Sequence, residues 1–425
     1  MSGGPESRRP RTRRIGSWAV IAAAAAALTV GATSAAGRPS PASNRVVAIA
    51  DIHGDFDAFL GILTRVGLID AERRWTGADT TLVQTGDYMD RGPKVRPLLD
   101  FLMAFESQAS AGGGRAVILM GNHEASNALG NVRDVPMSAY AAFADAESEA
   151  RRDAAFAAQA KFAENRRAAL ARADPSLQIP KIFLAPDKDA WMATHPPGFV
   201  EYLDAFGPLG TYGKWLRTRL VTVRVGDTVF VHGGINPEVS PKKLDSWNDQ
   251  ALKEIGQWDR LRKLMIDRQM ALPSFTFEEI LEAGGAELSR AAVEARQSDP
   301  AGASQVLLQH PLAQLQTVGK WSILDPNGPL WFRGYATWRP DDGAMRVDEL
   351  QRRYGPVRFV VGHTMTAGFR AMPRFSARVF LIDTGMFSSF YQGGRASALE
   401  IQNGVYTVVT ADGRQVLFDP MTATR

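Results

Sequence analysis

The sequence predicts a layered α/β fold. Six short apolar runs rich in β-branched residues recur along the chain, segments of helical periodicity lie between them, and a polar, chemically competent residue follows each run. A chain of 425 residues with 45% hydrophobic content can bury a large core, and it shows no internal repeat or long low-complexity tract in its main body.

The elements follow in order. Val46 to Ala50 is the first run. Asp57 to Leu68 places Phe59, Leu60, Leu63 and Val66 at roughly helical spacing, which suits a helix covering the sheet. Thr80 to Thr85 is the second run, and Pro97 to Glu106 repeats the helical pattern with Leu98, Leu99, Leu102 and Phe105. Ala116 to Met120 is the third. Residues from about 134 to 200, rich in Ala, Arg, Glu and Phe, read as a helical insertion. Val229 to Val231 resumes the strands. A second helical insertion, with a looser end punctuated by Gly and Pro, runs from about 240 to 328. Phe359 to Val361 and Val379 to Ile382 complete the set. The expected organisation is a leader over 1–36, a catalytic domain over 44–410 carrying the two insertions, and a C-terminal tail over 411–425.

In layered α/β folds the strand ends and their loops gather around one cleft. Here those ends carry Asp51 and His53 in ADIHGD, Asp87, Asp90 and Arg91 in GDYMDRG, Asn122 and His123 in GNHE, His232 in VHGG and His363 in VGHT. A single Asp or His after a strand is more often a loop residue or a satisfied core group than a ligand. The joint, ordered mixture of carboxylate, amide and imidazole instead suits two borderline divalent metals sharing a bridging carboxylate. His195 and His310 stand directly before prolines and read as loop residues.

The leader accounts for the basic balance. Five arginines against Glu6 give residues 1–36 a net +4, which equals the formal charge of the whole chain and leaves the rest neutral. A neutral body gives no bulk electrostatic case for nucleic acid. The leader reads as an export signal: a basic stretch, an apolar segment from Trp18 to Val30, then Ser34 and Ala36 suited to a cleavage site. That apolar segment is short for a spanning helix, which needs about 20 residues. Cleavage after Ala36 is expected, with periplasmic or secreted protein as the product. The alternative is an uncleaved inner-membrane anchor. The chain has no cysteine, which excludes disulfides, thiolate metal sites and a cysteine nucleophile.

Hydrolysis of a phosphomonoester needs a deprotonated water, neutralised phosphoryl oxygens and a proton for the leaving oxygen. A water activated between two metals meets the first need, with Asp51 and His53 on one metal, Asp87 as bridge, and Asn122, His232 and His363 on the other. His123 is the candidate general acid, with Asp90 as its carboxylate partner. Arg91 supplies a guanidinium for phosphate oxygens. Arg333 in LWFRGY is the second candidate, although stacking on its large apolar neighbours is the competing role. Asp383 either orients a ligand or caps a strand end.

Together ADIHGD, GDYMDRG, GNHE and HGG resemble the ordered motifs of the calcineurin-like metallophosphoesterase superfamily, and within it the phosphoprotein phosphatase family. VVGHT, LWFRG and LIDTGM look closer to the Shewanella-like and Rhizobiales-like branch. The resemblance runs from about Val46 to about Val409. It implies a sandwich of two β-sheets flanked by helices, a Mn, Fe or Zn pair with Mn favoured, and the roles assigned above. The chain departs from the family at Ala50, where glycine is usual, and at Met365, where many wider superfamily members carry a second ligand histidine. The expected activity is a two-metal phosphatase acting on phosphorylated protein or peptide, or on a small phosphoester. A dinucleoside polyphosphate hydrolase or phosphodiesterase, and a catalytically silent phospho-ligand-binding protein, are the alternatives.

Overall fold

Alternation of side chains along the strands decides the layering. The structure is a computed structural model that describes residues 45–173 and 179–422. The leader expected at 1–36 lies outside the described residues. Among those described, eleven strands occur: β1 (Val46–Ile49), β2 (Thr81–Gln84), β3 (Arg115–Ile118), β4 (Thr222–Val225), β5 (Thr228–Val231), β6 (Arg358–Val361), β7 (Met372–Arg374), β8 (Val379–Leu381), β9 (Ser397–Gln402), β10 (Val405–Thr410) and β11 (Gly413–Phe418). They form a six-stranded sheet in the order β11-β10-β9-β1-β2-β3 and a five-stranded sheet in the order β4-β5-β6-β8-β7. Strands β1, β2 and β3 run parallel, as do β5, β6 and β8; the outer pairings are antiparallel. All six runs expected from the sequence are these parallel strands.

Val46 and Ala48 of β1 point inward with Val83, Val117 and Leu399, and meet Phe230, Val360 and Phe380 of the other sheet. That is a β-sandwich core. The rings of Phe380 and Tyr406 stack across it with centroids 4.2 Å apart. Val47 and Ile49 point outward and are covered by α1 (Phe56–Arg65) and α2 (Val95–Ala111), whose buried stripes include Phe59, Leu63, Leu98 and Leu102. Helix α1 stops earlier than its apolar spacing suggests, because Val66 caps it and Gly67 turns with φ 70°.

The remaining helices are α3 (Asn122–Leu129), α4 (Met137–Ala141), α5 (Ser148–Ala173), α6 (Lys188–Thr194), α7 (Phe199–Phe206), α8 (Thr211–Leu216), α9 (Ser246–Asp267), α10 (Phe277–Ser298), α11 (Ala303–Leu308), α12 (Gly334–Thr337) and α13 (Pro340–Tyr354). Phe162 of α5, Trp258 of α9 and Ile280 of α10 share one apolar cluster with Ala125 and Leu129 of α3. The two inserted stretches therefore pack on each other and on the helix that begins at Asn122. Val347 and Leu350 of α13 cover the outer face of the second sheet. No helix among the described residues is long and apolar enough to cross a membrane.

One expectation is corrected. The stretch expected as a C-terminal tail, 411–425, is not simply a tail over its described residues, since β11 pairs antiparallel with β10, with Gly413 opposite Thr410. Its apolar residues are confined to Val416, Leu417 and Phe418, too short a run to read as a buried strand, and Gly413 with φ 143° closes the hairpin. Replacing Phe380 with Ala should lower stability by about 3–5 kcal/mol, read from urea unfolding, because it removes a ring from the centre of the sandwich.

Candidate active site

The parallel strands of both sheets end at the same cleft. Asp51 follows β1, Asp87 follows β2, Asn122 and His123 follow β3, His232 follows β5, His363 follows β6 and Asp383 follows β8. The turns are tight: His53, Asp87, Asp90, Arg91 and His363 all have φ between 48° and 63°. Such left-handed positions cost a non-glycine residue roughly 1–3 kcal/mol and persist only where surrounding contacts fix them. Two glycines permit the close approach. A Cβ on Gly121 would lie 2.2 Å from Asp87 Oδ1, and one on Gly92 would lie 2.2 Å from the His53 carbonyl oxygen.

Three histidines have their tautomers set from behind. His53 Nδ1 faces the Met89 carbonyl at 2.9 Å, His232 Nδ1 faces that of Thr85 at 3.2 Å, and His363 Nε2 faces that of Trp331 at 3.2 Å. A carbonyl only accepts, so in each neutral ring the other nitrogen turns a lone pair toward the cleft. Burial pushes His53 down to about 3, and burial with the neighbouring His232 also lowers His363, which favours the neutral rings that metals bind.

These lone pairs converge on acceptors. His232 Nε2 lies 2.9 Å from Asn122 Oδ1, 3.2 Å from His363 Nδ1 and 3.2 Å from Asp87 Oδ1. On the other side His53 Nε2 lies 3.8 Å from Asp87 Oδ2 and 3.9 Å from Asp51 Oδ2. Buried acceptors facing acceptors repel unless a cation sits among them. The donor set therefore fits two divalent ions, with one oxygen of Asp87 toward each group. His53, Asp87 and His123 form one possible ligand cluster, and Asp87, His232 and His363 another. The carboxylates agree with this reading. Burial and then Asp383 and Asp87 push Asp51 well above the usual carboxylate range, a cost that a bound cation would relieve. Burial acts against ionised Asp87 too, but His232 and His123 outweigh it and hold it well below that range.

His123 differs from the other three. Its Nδ1 meets Asp90 Oδ2 at 2.7 Å, a carboxylate in place of a carbonyl. Burial alone would push this imidazole down, but Asp87 and the Asp90 hydrogen bond bring it up to about 9. Its Nε2 faces the cleft, 3.8 Å from Asp87 Oδ2 and 3.1 Å from Arg91 Nη2. Arg91 also reaches His53 Nε2 at 2.6 Å and donates to the Tyr391 hydroxyl. Arg333 lies at the rim, where its Nη1 donates at 3.0 Å to both the His363 carbonyl and Thr364 Oγ1. All ten residues proposed from the motifs thus meet at one cleft. Asp383 accepts from the Gly385 N–H at 2.9 Å, and burial pushes its carboxyl up to about 6. His195 stacks on Trp191 and the His310 ring accepts from the Leu312 N–H, neither of them a member of either ligand cluster.

Three participants were not assigned from sequence. Glu124 accepts from the N–H groups of Asp87, Tyr88, Met89 and Gly121 at 2.7–3.0 Å. Asn127 donates to Asp90, and its position four residues after His123 on α3 was a usable helical signal. Tyr391 reaches Arg91 from 300 positions away in the chain, a separation that leaves no local signal.

The chain matches the calcineurin-like phosphoesterase family over residues 44–367, and it belongs to that family. Metal-dependent phosphatase is the enzyme class that this membership and the named relatives support. An uncharacterized protein of Schizosaccharomyces pombe is 25% identical over 371 residues, 86% of this chain and 80% of its own length. Shewanella-like protein phosphatase 2 of Arabidopsis thaliana is 32% identical over 212 residues, covering 48% of this chain and 50% of that protein. The chain thus spans about half of that relative. A solved cold-active protein tyrosine phosphatase shares the fold with a TM-score of 0.50, at 22% identity over 88% of this chain and 79% of that one.

Substituting Glu124→Gln should weaken metal affinity roughly 10–100-fold, because the loop carrying Asp87 loses its charged acceptor. Asp87→Asn should reduce both bound equivalents while His123→Ala leaves them near two, as elemental analysis after dialysis would read.

Proposed function

We propose that the protein is a two-metal-dependent phosphomonoester hydrolase acting on phosphorylated protein side chains, with Mn as the favoured metal. The observation that carries this reading is the sharing of Asp87 between two groups of possible ligands, with one member of the first group, His123, bonded to the Asp90 carboxylate. Asp51, His53 and Asp87 would hold one cation, and Asp87, Asn122, His232 and His363 the other. Bound there, the cations supply positive charge for phosphoryl oxygens and acidify water.

The chain's own residues do the rest. Arg91 offers a planar guanidinium to the phosphoryl oxygens, and Tyr391 and the Phe390 ring, 5.6 Å from its Cζ, brace that guanidinium on its outer side. Arg333 approaches beside His363, two residues after Trp331, whose carbonyl meets that ring. With the Arg91 guanidinium turned to the phosphate, His123 would hold a proton at Nε2 for the leaving oxygen, and Asp90 at Nδ1 would stabilise the charged ring until that proton moves. The helical stretch after GNHE is suited to shaping which phosphorylated segment reaches the cleft. The leader further supports export from a bacterial cytoplasm, with the mature protein beginning after Ala36.

Phosphate release from an aryl phosphomonoester, by protein stripped of metal and titrated with Mn, should appear with two equivalents. Silence with both ions bound would reject the phosphomonoesterase reading. His123→Ala should lower kcat about 10²–10⁴-fold on alkyl phosphates and less on nitrophenyl phosphate, whose leaving group needs no proton. Arg91→Ala should chiefly raise KM, and Arg333→Ala kinetics equal to the parent would remove Arg333 from the site.

A further inference from the structure

We propose that Tyr202 of α7 and Asn127 of α3 are positioning residues for the proton donor, joined to His123 through Asp90 in a hydrogen-bond chain with only one possible direction. The inference rests on the proposed function of the cleft and deepens it. The Tyr202 hydroxyl donates to Asn127 Oδ1 at 2.7 Å. Asn127 Nδ2 donates to both oxygens of Asp90 at 3.0 Å and to the His123 carbonyl at 2.9 Å. Asp90 Oδ2 accepts from His123 Nδ1 at 2.7 Å.

The direction follows from chemistry alone. An ionised carboxylate only accepts, so the Asn127 amide must turn its NH2 to Asp90 and its oxygen to Tyr202. Tyr202 must then donate. No member can rotate without leaving a buried polar atom unpaired, and Asp90, Asn127 and Tyr202 are each at most 2% exposed. Tyr202 itself is immobilised by rings, with Tyr140, Phe143 and Phe206 centred 5.2, 5.0 and 4.4 Å from it. Helix α7 packs in one apolar cluster with α1 and α2, and the Tyr202 hydroxyl joins it to the chain of groups behind the proton donor.

The consequence is geometric. Asp90 occupies a left-handed turn with φ 63°, and among the described residues Asn127 is the only side chain besides His123 that donates to its carboxylate. Without the amide, Asp90 could swing and carry the His123 ring with it, and Nε2 would lose its aim at the leaving oxygen.

Tyr202→Phe keeps the ring and removes only the hydroxyl, so packing survives. It should lower kcat on an alkyl phosphomonoester about 5–20-fold, a fraction of the full general-acid contribution, with KM unchanged and little effect on nitrophenyl phosphate. In a His123→Ala background the same substitution should cause no further loss. A second readout needs no turnover: the His123 Nδ1–H proton resonance of the zinc-loaded protein should shift or broaden in Tyr202→Phe. Equal losses on both esters, an equal further loss in the His123→Ala background, or an unmoved resonance would overturn the proposal. If the parent hydrolyses neither ester, the functional reading itself fails, and the resonance alone then decides whether the chain holds His123.

Discussion

Glu124 is the anchor on which the cleft depends. Four backbone N–H groups end on its two oxygens, three from the loop after β2 and one from Gly121. Burial and Asp87 push its carboxyl up to about 8, and the backbone hydrogen bonds oppose that push. Four donors fill the four lone-pair directions of an ionised carboxylate, which makes the anion the form the loop is built around. That contact fixes Asp87 in its left-handed turn, and from Asp87 the two ligand groups take their separation. In the proposed function the GNHE segment therefore supplies a ligand and a proton donor, and its Glu124 clamps the neighbouring loop, all within three consecutive residues.

The sandwich converts this local order into a site. Each sheet contributes three parallel strands, and their ends face one another because inward residues such as Ala48, Val83, Phe230 and Val360 fill the space between the sheets. A parallel strand end delivers its residue at a fixed height, so ligands from both sheets can converge without a long mobile loop. The inserted helices add a second core, and its contact with Ala125 and Leu129 ties them to α3. Arg217 reinforces this joint by bridging Asp259 of α9 and the Ala128 carbonyl.

Much of this was legible in the sequence because the relevant strands are buried on both faces. Such strands read as continuous apolar runs, and a polar residue ending one stands out. Strands β9 and β10 were harder to read: Glu400 and Thr407 interrupt their apolar residues, and the centre of β11 is exposed. The candidate ligands and their division between two groups were readable from residue chemistry and order, but which nitrogen of each ring faces inward was not. Carbonyls of Met89, Thr85 and Trp331 set that, and backbone atoms leave no trace in the side-chain pattern. Glu124 was visible as part of GNHE, yet its work is entirely toward backbone amides, which a motif does not reveal. Tyr391 and Tyr202 belong to the cleft only through folding at long range.

Strand β1 has a neighbour that is made long after it. It carries Asp51 at its end and sits inside the six-stranded sheet, pairing with β2 on one side and with β9 on the other. Beside this pairing, Arg45 joins Glu400 across 355 positions of chain. Closing a loop of that length requires nearly the whole polypeptide, and sheets with such non-local pairing assemble slowly. Until β9 emerges, one edge of β1 presents unpaired amides and carbonyls, a surface open to pairing with the wrong strand. The cleft thus depends on β9: a polypeptide truncated before that strand would keep every proposed ligand residue and lose the sheet that aligns them.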